Sequence, residues 1–437
     1  MEDRSDRFLI IGAGPTGLVV ARALKQAGIP YEQVEADEDV GGNWRHGVYT
    51  TVHIISSRRT TEFPEYPMPA DYPDFPSRSQ MLSYLCDYAR HFGLREQIEF
   101  RQEVTAATPL EDWSWRVRLA SGQERRYKGV IVCNGHHWDR RFPSYPGTFT
   151  GEWWHSKDYR HPEQLVGKRV LVIGGGNSAC DIASEAARVS ICSHLSLRRG
   201  YWFLPKTMFG IPTVEIMRGW MPVPLQRLLL RVLLRIIVGK YTQYGLPEPD
   251  HRIFERHPTV NSELLYYLKH GRIRPRPDIA RLEGRRVHFV DGTSDEYDLV
   301  ICATGFYVSF PFLPPGLVEV KGSTAQLYAG VIPPRTRNLY VFGTTQPRYG
   351  FGPLASPAAD LLAQLIRLQD QMLLPLSVVL EMSGEKLPTT HLVNPHAALR
   401  RMKRARLFLP LLARRERRLR TSPQACALPL WTPARTA

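Results

Sequence analysis

The chain is poor in cysteine: six residues in 437, at Cys86, Cys133, Cys180, Cys192, Cys302 and Cys426, with no CxxC pair and no histidine cluster at metal-ligand spacing. That scatter argues against a zinc site and against dithiol redox chemistry, so a reduced, cytosolic chain with no resident metal is expected. An apolar leader is missing too. Seven residues precede the first strand-like run, and Glu2, Asp3, Arg4, Asp6 and Arg7 are among them, which leaves no room for the apolar core of a signal peptide. Secretion is not expected. The mostly apolar run 224–238 is interrupted by Arg227, Arg231 and Arg235, which argues against a membrane-spanning helix. Low hydrophobicity is also absent: 43% hydrophobic and 23% charged residues are proportions of a folded protein. A length of 437 residues exceeds one ordinary core and predicts two domains, with insertion of one into the other left open.

Negative charge is in deficit, with a formal net charge of +15, but the excess is localised. Residues 400–420 hold ten basic side chains (Arg400, Arg401, Lys403, Arg404, Arg406, Arg414, Arg415, Arg417, Arg418 and Arg420) against Glu416 alone, a net of +9 that leaves +6 elsewhere. A body so mildly basic suits a protein that binds pyrophosphates, and no nucleic-acid partner is expected.

What is present is a pair of glycine-rich fingerprints about 160 residues apart. Gly12-Ala13-Gly14-Pro15-Thr16-Gly17 follows the apolar run Phe8-Leu9-Ile10-Ile11, and Gly174-Gly175-Gly176-Asn177-Ser178-Ala179 follows Val170-Leu171-Val172-Ile173. Each lies between a strand-like and a helix-like segment, the setting in which such a loop cradles a dinucleotide pyrophosphate. After the first, Tyr31-Glu32-Gln33-Val34 ends in Glu35, an acceptor for a ribose hydroxyl, and Val40-Gly41-Gly42-Asn43-Trp44 adds two glycines that let backbone approach a ligand. After the second, Ser193 to Leu197 ends in Arg198-Arg199, so the carboxylate is missing and arginines stand in its place. Guanidinium pairs with a 2′-phosphate that a carboxylate would repel, which predicts NADPH at the second site and FAD at the first. Two such sites on one chain imply electron transfer between them.

Phe149-Thr150-Gly151-Glu152-Trp153-Trp154-His155-Ser156-Lys157-Asp158-Tyr159 matches FxGxxxHxxx(Y/F). With Gly41 to Trp44, Val132 to His137, Pro143 to Gly147, Cys302-Ala303-Thr304-Gly305-Phe306 and Thr345-Gln346-Pro347 in order, the chain from Phe8 to Leu365 resembles the flavin-containing monooxygenases and, more distantly, the Baeyer–Villiger monooxygenases. Its length and motif order are also similar to those of plant indole-pyruvate monooxygenases. The resemblance implies an α/β fold of two Rossmann-like dinucleotide-binding domains, the NADPH domain inserted into the FAD domain. Expected boundaries are 1–145 and 309–395 for the FAD domain, 146–308 for the NADPH domain with a helical insert about 205–260, and 396–437 for a basic tail.

By the same resemblance Gly12, Gly14, Pro15, Thr16, Gly17, Glu35, Gly42, Asn43, Trp44 and Gln346 serve FAD. Gly174, Gly176, Asn177, Ser178, Ala179, Arg198 and Arg199 serve NADPH, with His155 near the junction. It further implies that NADPH reduces the flavin, that a flavin hydroperoxide forms with molecular oxygen, and that one oxygen atom passes to a small organic substrate at nitrogen, sulfur or carbonyl carbon. Such chemistry asks little of side-chain acids and bases. One departure stands out: Ile55 in Ile55-Ser56-Ser57-Arg58 falls where the family's active-site Asn is expected, and an aliphatic group cannot replace an amide's hydrogen bonds. His53, Ser56, Ser57 and Arg58 are the polar candidates to substitute for it. An NADPH oxidase or a flavin-binding module with lapsed oxygenation stays open as the alternative, as does Baeyer–Villiger or oxidative-decarboxylation chemistry.

Outside these motifs, the prolines from Phe63 to Pro76 predict an extended connection, and Ser79 is placed to cap a helix that ends near Gly93. Arg227, Arg231 and Arg235 recur every four residues, one basic stripe on an otherwise aliphatic helix. A helix lying on a membrane surface, a lid over a lipophilic channel and a packed helix with extended arginines all fit that pattern. The tail interleaves Leu407, Phe408, Leu409, Leu411 and Leu412 with arginines, as a membrane-surface or acidic-partner contact would, or a solvated segment. A cytoplasmic protein with peripheral membrane contact is one outcome; oligomeric state is not legible.

Overall fold

The computed structural model describes residues 1–216 and 221–422, so Cys426 and the last part of the tail lie outside the described residues. Phe8-Leu9-Ile10-Ile11 is apolar at every position, as a strand covered on both faces must be, and all four side chains are buried. They form the C-terminal half of β1 (Glu2–Ile11), which α1 (Pro15–Gln26) links to β2 (Tyr31–Val34) in a βαβ crossover. The chain then passes through α2 (Arg78–His91), β3 (Ile98–Glu99), β4 (Val104–Pro109), β5 (Trp115–Leu119) and β6 (Glu124–Val132). The sheet runs β3-β2-β1-β6 in parallel, with Phe8 opposite Tyr31 on one side and Gly129 on the other. Strand β6 has two partners on its far edge. Its first half pairs antiparallel with β5, while Val130–Val132 pairs in parallel with a strand from far along the chain, Leu339–Val341.

Between these two visits to the first sheet the chain builds a second. Strands β7 (Glu152–His155), β8 (Arg169–Ile173), β9 (Cys192–Ser196), β10 (Ile273–Arg276) and β11 (Leu299–Cys302) lie wholly parallel in the order β10-β9-β8-β11-β7, with helix α3 (Asn177–Val189) after β8. A four-stranded sheet formed by Gly147–Phe149, Ile279–Gly284, Arg286–Phe289 and Ser294–Glu296 covers its other face through Leu171, Ile173, Val287 and Val300. The fold is thus α/β with two Rossmann-like units, the second interrupting the first.

The 205–260 stretch is only partly helical. A hairpin pairs Thr207–Met208 with Ile211–Pro212, Thr259–Val260 runs parallel to Phe203–Leu204, and the main helix is α4 (Val223–Ile237). It turns Gln226, Leu230 and Leu234 inward and leaves Leu225, Leu228, Val232 and Ile236 exposed. The three arginines of the stripe are not equivalent. Arg227 bends back to donate from Nε to the Ile253 carbonyl at 2.8 Å, while Arg231 and Arg235 flank the exposed apolar row. No helix among the described residues is long and apolar enough to cross a membrane.

The basic tail differs more from a solvated segment. After α5 (Gly352–Asp370) and α6 (Leu376–Met382), residues Pro395–Leu419 form one helix, α7, whose Met402, Ala405, Leu409, Leu412 and Ala413 pack on the first core. Its lone acid, Glu416, is 1% exposed, accepts hydrogen bonds from the amides of Leu373 and Leu374 at 3.0 and 3.1 Å, and pairs with Arg420. The α2 cap also differs: Ser77, two residues earlier than Ser79, accepts from Gln80 N while Gln80 answers at the Ser77 amide.

Candidate functional site

The first fingerprint is a turn with no room for side chains. A Cβ on Gly17 would stand 2.0 Å from the Gly12 carbonyl oxygen, so glycine alone lets α1 close onto β1. Helix α1 starts at Gly14 with no side-chain cap, and Pro15 carries no N–H, so the first-turn amides beginning at Thr16 face outward at the positive end of the helix. Glu35, just past β2, accepts from Ala13 N at 2.5 Å and Asp37 N at 3.0 Å, which fixes its carboxylate beside the turn. Gly41 N donates to Ala13 O at 3.1 Å and brings Gly42 against Gly14. Asn43 and Trp44 follow in a single π-helical turn; Trp44 is half-buried on the first core, and Asn43 Oδ1 accepts from Lys157 Nζ at 2.7 Å.

The second fingerprint repeats the geometry. Gly174 adopts φ +124°, and a Cβ there would meet the Ala303 carbonyl at 2.4 Å, so the Ala303-Thr304-Gly305 turn crosses directly over it. Gly176 begins α3 without a side-chain cap, Ala179 is fully buried, and Ser178 lies beside the Tyr49 hydroxyl. Asn177 Oδ1 accepts from Val260 N at 2.8 Å, which ties the insert to this helix start. Beyond β9, Arg198 is exposed, whereas the Arg199 guanidinium lies 5.2 Å over the Tyr201 ring, itself packed on Gly175.

Between the fingerprints is a junction that the sequence shows only in part. His155 is fully buried; its Nε2 lies 3.0 Å from Gly305 O, and its Nδ1 accepts from Lys157 N at 3.1 Å. These contacts make Nε2 the protonated nitrogen, and burial holds the ring's pKa below the usual imidazole range. Lys157 carries its Nζ to Asn43 and to His137 O at 3.0 Å; burial, together with Arg160 and Arg140, lowers its pKa to about 8. His137 retains open surface yet lies deep in the molecule, where burial, then His136 and Lys157, push it down to about 3. His136 stacks edge-on to it and lies 3.0 Å from Gly343 O, while Gly343 abuts Thr16 of the first fingerprint. His257 from the insert and His391 from the returning segment complete the group, and burial lowers both. Six basic side chains from four separate stretches converge here. Lys157 and His136-His137 were visible only as parts of longer motifs, and His257 and His391 carried no local signal.

The loop 53–58 is differently engaged. Ser57 is buried and caps the turn 58–61, Ser56 Oγ lies 2.7 Å from Thr61 Oγ1, Arg58 Nη1 donates to Pro69 O at 2.7 Å, and exposed His53 bridges to Ser77. Ile55 is half-buried on the second core. The backbone N–H of Gln346 donates to His391 O at 2.8 Å. On the exposed rim near Glu35, Asp37, Glu38 and His46 bring ligand-type atoms within 4.8 Å of one another, held by side-chain ion pairs.

A family model described as flavin-binding monooxygenase-like matches residues 5–367. The chain belongs to this family. Rat dimethylaniline monooxygenase (N-oxide-forming) 2 is 32% identical over 372 residues, covering 78% of this chain and 69% of the relative. Among solved structures, S-allyl-L-cysteine S-oxygenase from Allium sativum superposes with a TM-score of 0.65 at 22% identity over 96% of this chain and 93% of its own. Cyclohexanone monooxygenase from Rhodococcus sp. Phi1 bound to NADP+ gives 0.68 at 16% over 84% of each chain. This flavin-binding monooxygenase is an oxidoreductase that uses FAD and NADPH, and its small-molecule reactants include molecular oxygen.

Proposed function

We propose that the uncapped start of α1 and Glu35 hold FAD, that the start of α3 with Arg198 and Arg199 holds NADPH, and that the enzyme oxygenates a small organic substrate at nitrogen, sulfur or carbonyl carbon. The observation that carries this reading is the contrast of the two strand ends: a carboxylate beside the first fingerprint, arginines beside the second. Bound FAD supplies the redox and oxygen chemistry, and the residues around it bind, orient and exclude water. The open amides of α1 and α3 bind the two pyrophosphates. His155 positions the Gly305 turn over the second fingerprint, and Lys157 holds Asn43. Both act as positioning residues. Names of relatives that form an N-oxide, oxygenate sulfur or act on cyclohexanone support the range of acceptor atoms.

The domain limits proposed are 1–145 and 309–395 around 146–308. A cytoplasmic enzyme that touches a membrane surface through α4 fits its exposed apolar row.

Ile55 favours a second reading, an NADPH oxidase, because it offers no hydrogen bond where the family expects an amide. The two are separated by following NADPH, oxygen and product together with thioether, tertiary-amine and cyclic-ketone probes. The monooxygenase reading expects one oxygenated product for roughly each NADPH consumed. Quantitative conversion of oxygen to hydrogen peroxide with every probe would establish the oxidase instead.

A further inference from the structure

We propose that the outward face of α7 is a docking surface for an anionic lipid bilayer, a second contact that extends the reading of α4 and stands on observations of its own. The helix has two opposite faces. Met402, Ala405, Leu409, Leu412 and Ala413 pack on the first core with Glu416 buried among them, so one side is occupied in holding the helix to α5 and α6. At about 3.6 residues per turn the other side carries Leu407, Phe408 and Leu411. These three are 77%, 54% and 48% exposed. Arg400, Lys403 and Arg404 precede them on the same side, and Arg414 and Arg418 follow, all exposed.

The cations of that side have no partner within the protein. Arg406, Arg415 and Arg420 turn back to the body, donating to Pro357 O at 3.3 Å, Met382 O at 2.6 Å and Glu416 Oε1 at 2.9 Å. Arg400, Lys403, Arg404, Arg414 and Arg418 make no side-chain hydrogen bond or ion pair among the described residues. Glu416 is the only acid of the helix and is buried and paired, so the helix offers no carboxylate on its exposed side. A polyanion such as nucleic acid would meet the cations and leave Leu407, Phe408 and Leu411 set against charge. A second copy of the chain would oppose like charges. A bilayer takes both kinds of group at once: apolar side chains enter the edge of the acyl region, and the arginines and lysine around them reach the headgroups, with anionic lipid favoured by the charge.

The start of α7 lies close to the start of α4. Tyr349 donates to Gln226 Oε1 of α4 at 2.7 Å, and its ring centre is 6.3 Å from that of His396 in the first turn of α7. Two weak contacts on one chain reinforce each other, so removal of either is expected to release the protein.

The test uses the FAD-loaded full chain and flotation with two kinds of vesicle, phosphatidylcholine alone and phosphatidylcholine with phosphatidylserine. Wild type should float with the phosphatidylserine vesicles, come off as salt is raised, and stay behind with phosphatidylcholine. Arg404→Gln/Arg414→Gln/Arg418→Gln should weaken partition roughly a hundredfold, about fivefold for each charge near the surface. The matching triple change to lysine should retain binding. Leu407→Gln/Phe408→Gln, which leaves every charge in place, should also release the protein. FAD content and NADPH oxidation in solution should be unaltered in all of them, and the vesicle comparison with wild type does not depend on any variant folding. Equal recovery of wild type with both vesicles, or with neither, overturns the proposal. Release by the charge variant but not by Leu407→Gln/Phe408→Gln would mark a plain polyanion site and overturn the bilayer. Release by substitutions in α4 alone, with both glutamine variants of α7 retained, would leave the α4 contact standing and remove this one.

Discussion

Arg198 and Arg199 are adjacent in sequence and differently placed. Arg199 rests on Tyr201 above the second fingerprint, while Arg198 reaches solvent at the end of β9, where a ribose 2′-phosphate is met in this fold. Arg198→Ala should weaken NADPH binding by about tenfold, on the order of one charge-assisted hydrogen bond at an exposed site, and leave NADH nearly unchanged. Titration of both nucleotides against the variant checks it, and equal losses for the two would refute the 2′-phosphate assignment. Residues of this kind are legible in sequence because the βαβ unit fixes their spacing: Gly17 must be small, and Glu35 must follow β2. Lys157, His257 and His391 are not legible in that way. Their chemistry comes from burial and from meeting around His137 across stretches that the sequence keeps a hundred residues or more apart.

Among the helices, periodicity gave the positions and not the surroundings. The four-residue spacing of Arg227, Arg231 and Arg235 correctly placed a helix, but which face meets the protein depends on Gln226, Leu230 and Leu234 finding a core, and that leaves Leu228, Val232 and Ile236 outward. At 60%, 46% and 74% exposure these three form an apolar ridge beside Arg231 and Arg235, the composition of a helix that lies on an anionic bilayer. Flotation with vesicles containing phosphatidylserine should retain the wild-type enzyme and lose a Val232→Glu/Ile236→Glu variant, with NADPH oxidation in solution unaltered. Equal recovery of both proteins would mean that the ridge has another use. Helix α7 teaches the complementary lesson. Its charge predicted a solvated or surface-bound tail, yet Glu416, one acid among ten basic residues, is the group that anchors the helix to the Leu373-Leu374 turn. In the capping of α2, Ser77 and Ser79 are equally good residues by type, and only the backbone conformation at Ser77 decides between them.

Across the whole molecule, the contact between the two nucleotide units is built on buried carboxyls. Tyr49 donates to Asp181 Oδ2 at 2.7 Å, Asn261 donates to Asp181 Oδ1 at 2.6 Å, and Thr51 and Tyr159 both donate to Glu185 one turn further along α3. Burial raises the pKa of both acids above their unfolded values of 3.8 and 4.5. Their carboxylates thus weigh against the folded state at neutral pH, and that cost falls as pH drops through the raised values toward 4.5. An Asp181→Asn/Glu185→Gln variant has no such titration. Urea midpoints measured from pH 7 down to pH 5 should show wild type gaining relative to the variant as pH falls, and a gap independent of pH would contradict the sign. The alternation of strand and helix and the two-unit plan were readable in advance, whereas this clamp was not, since Tyr49, Thr51, Asp181 and Glu185 each look ordinary where they stand. The divided edge of β6 bears on the order in which the protein can be assembled during synthesis. Every strand of the second sheet has been made by Cys302, but Val130–Val132 has no neighbour on that edge until residues 339–341 emerge. The interrupting unit can close first, and the nascent chain carries an unpaired apolar strand edge through some two hundred residues of translation, the interval in which it is most open to mispairing with another chain.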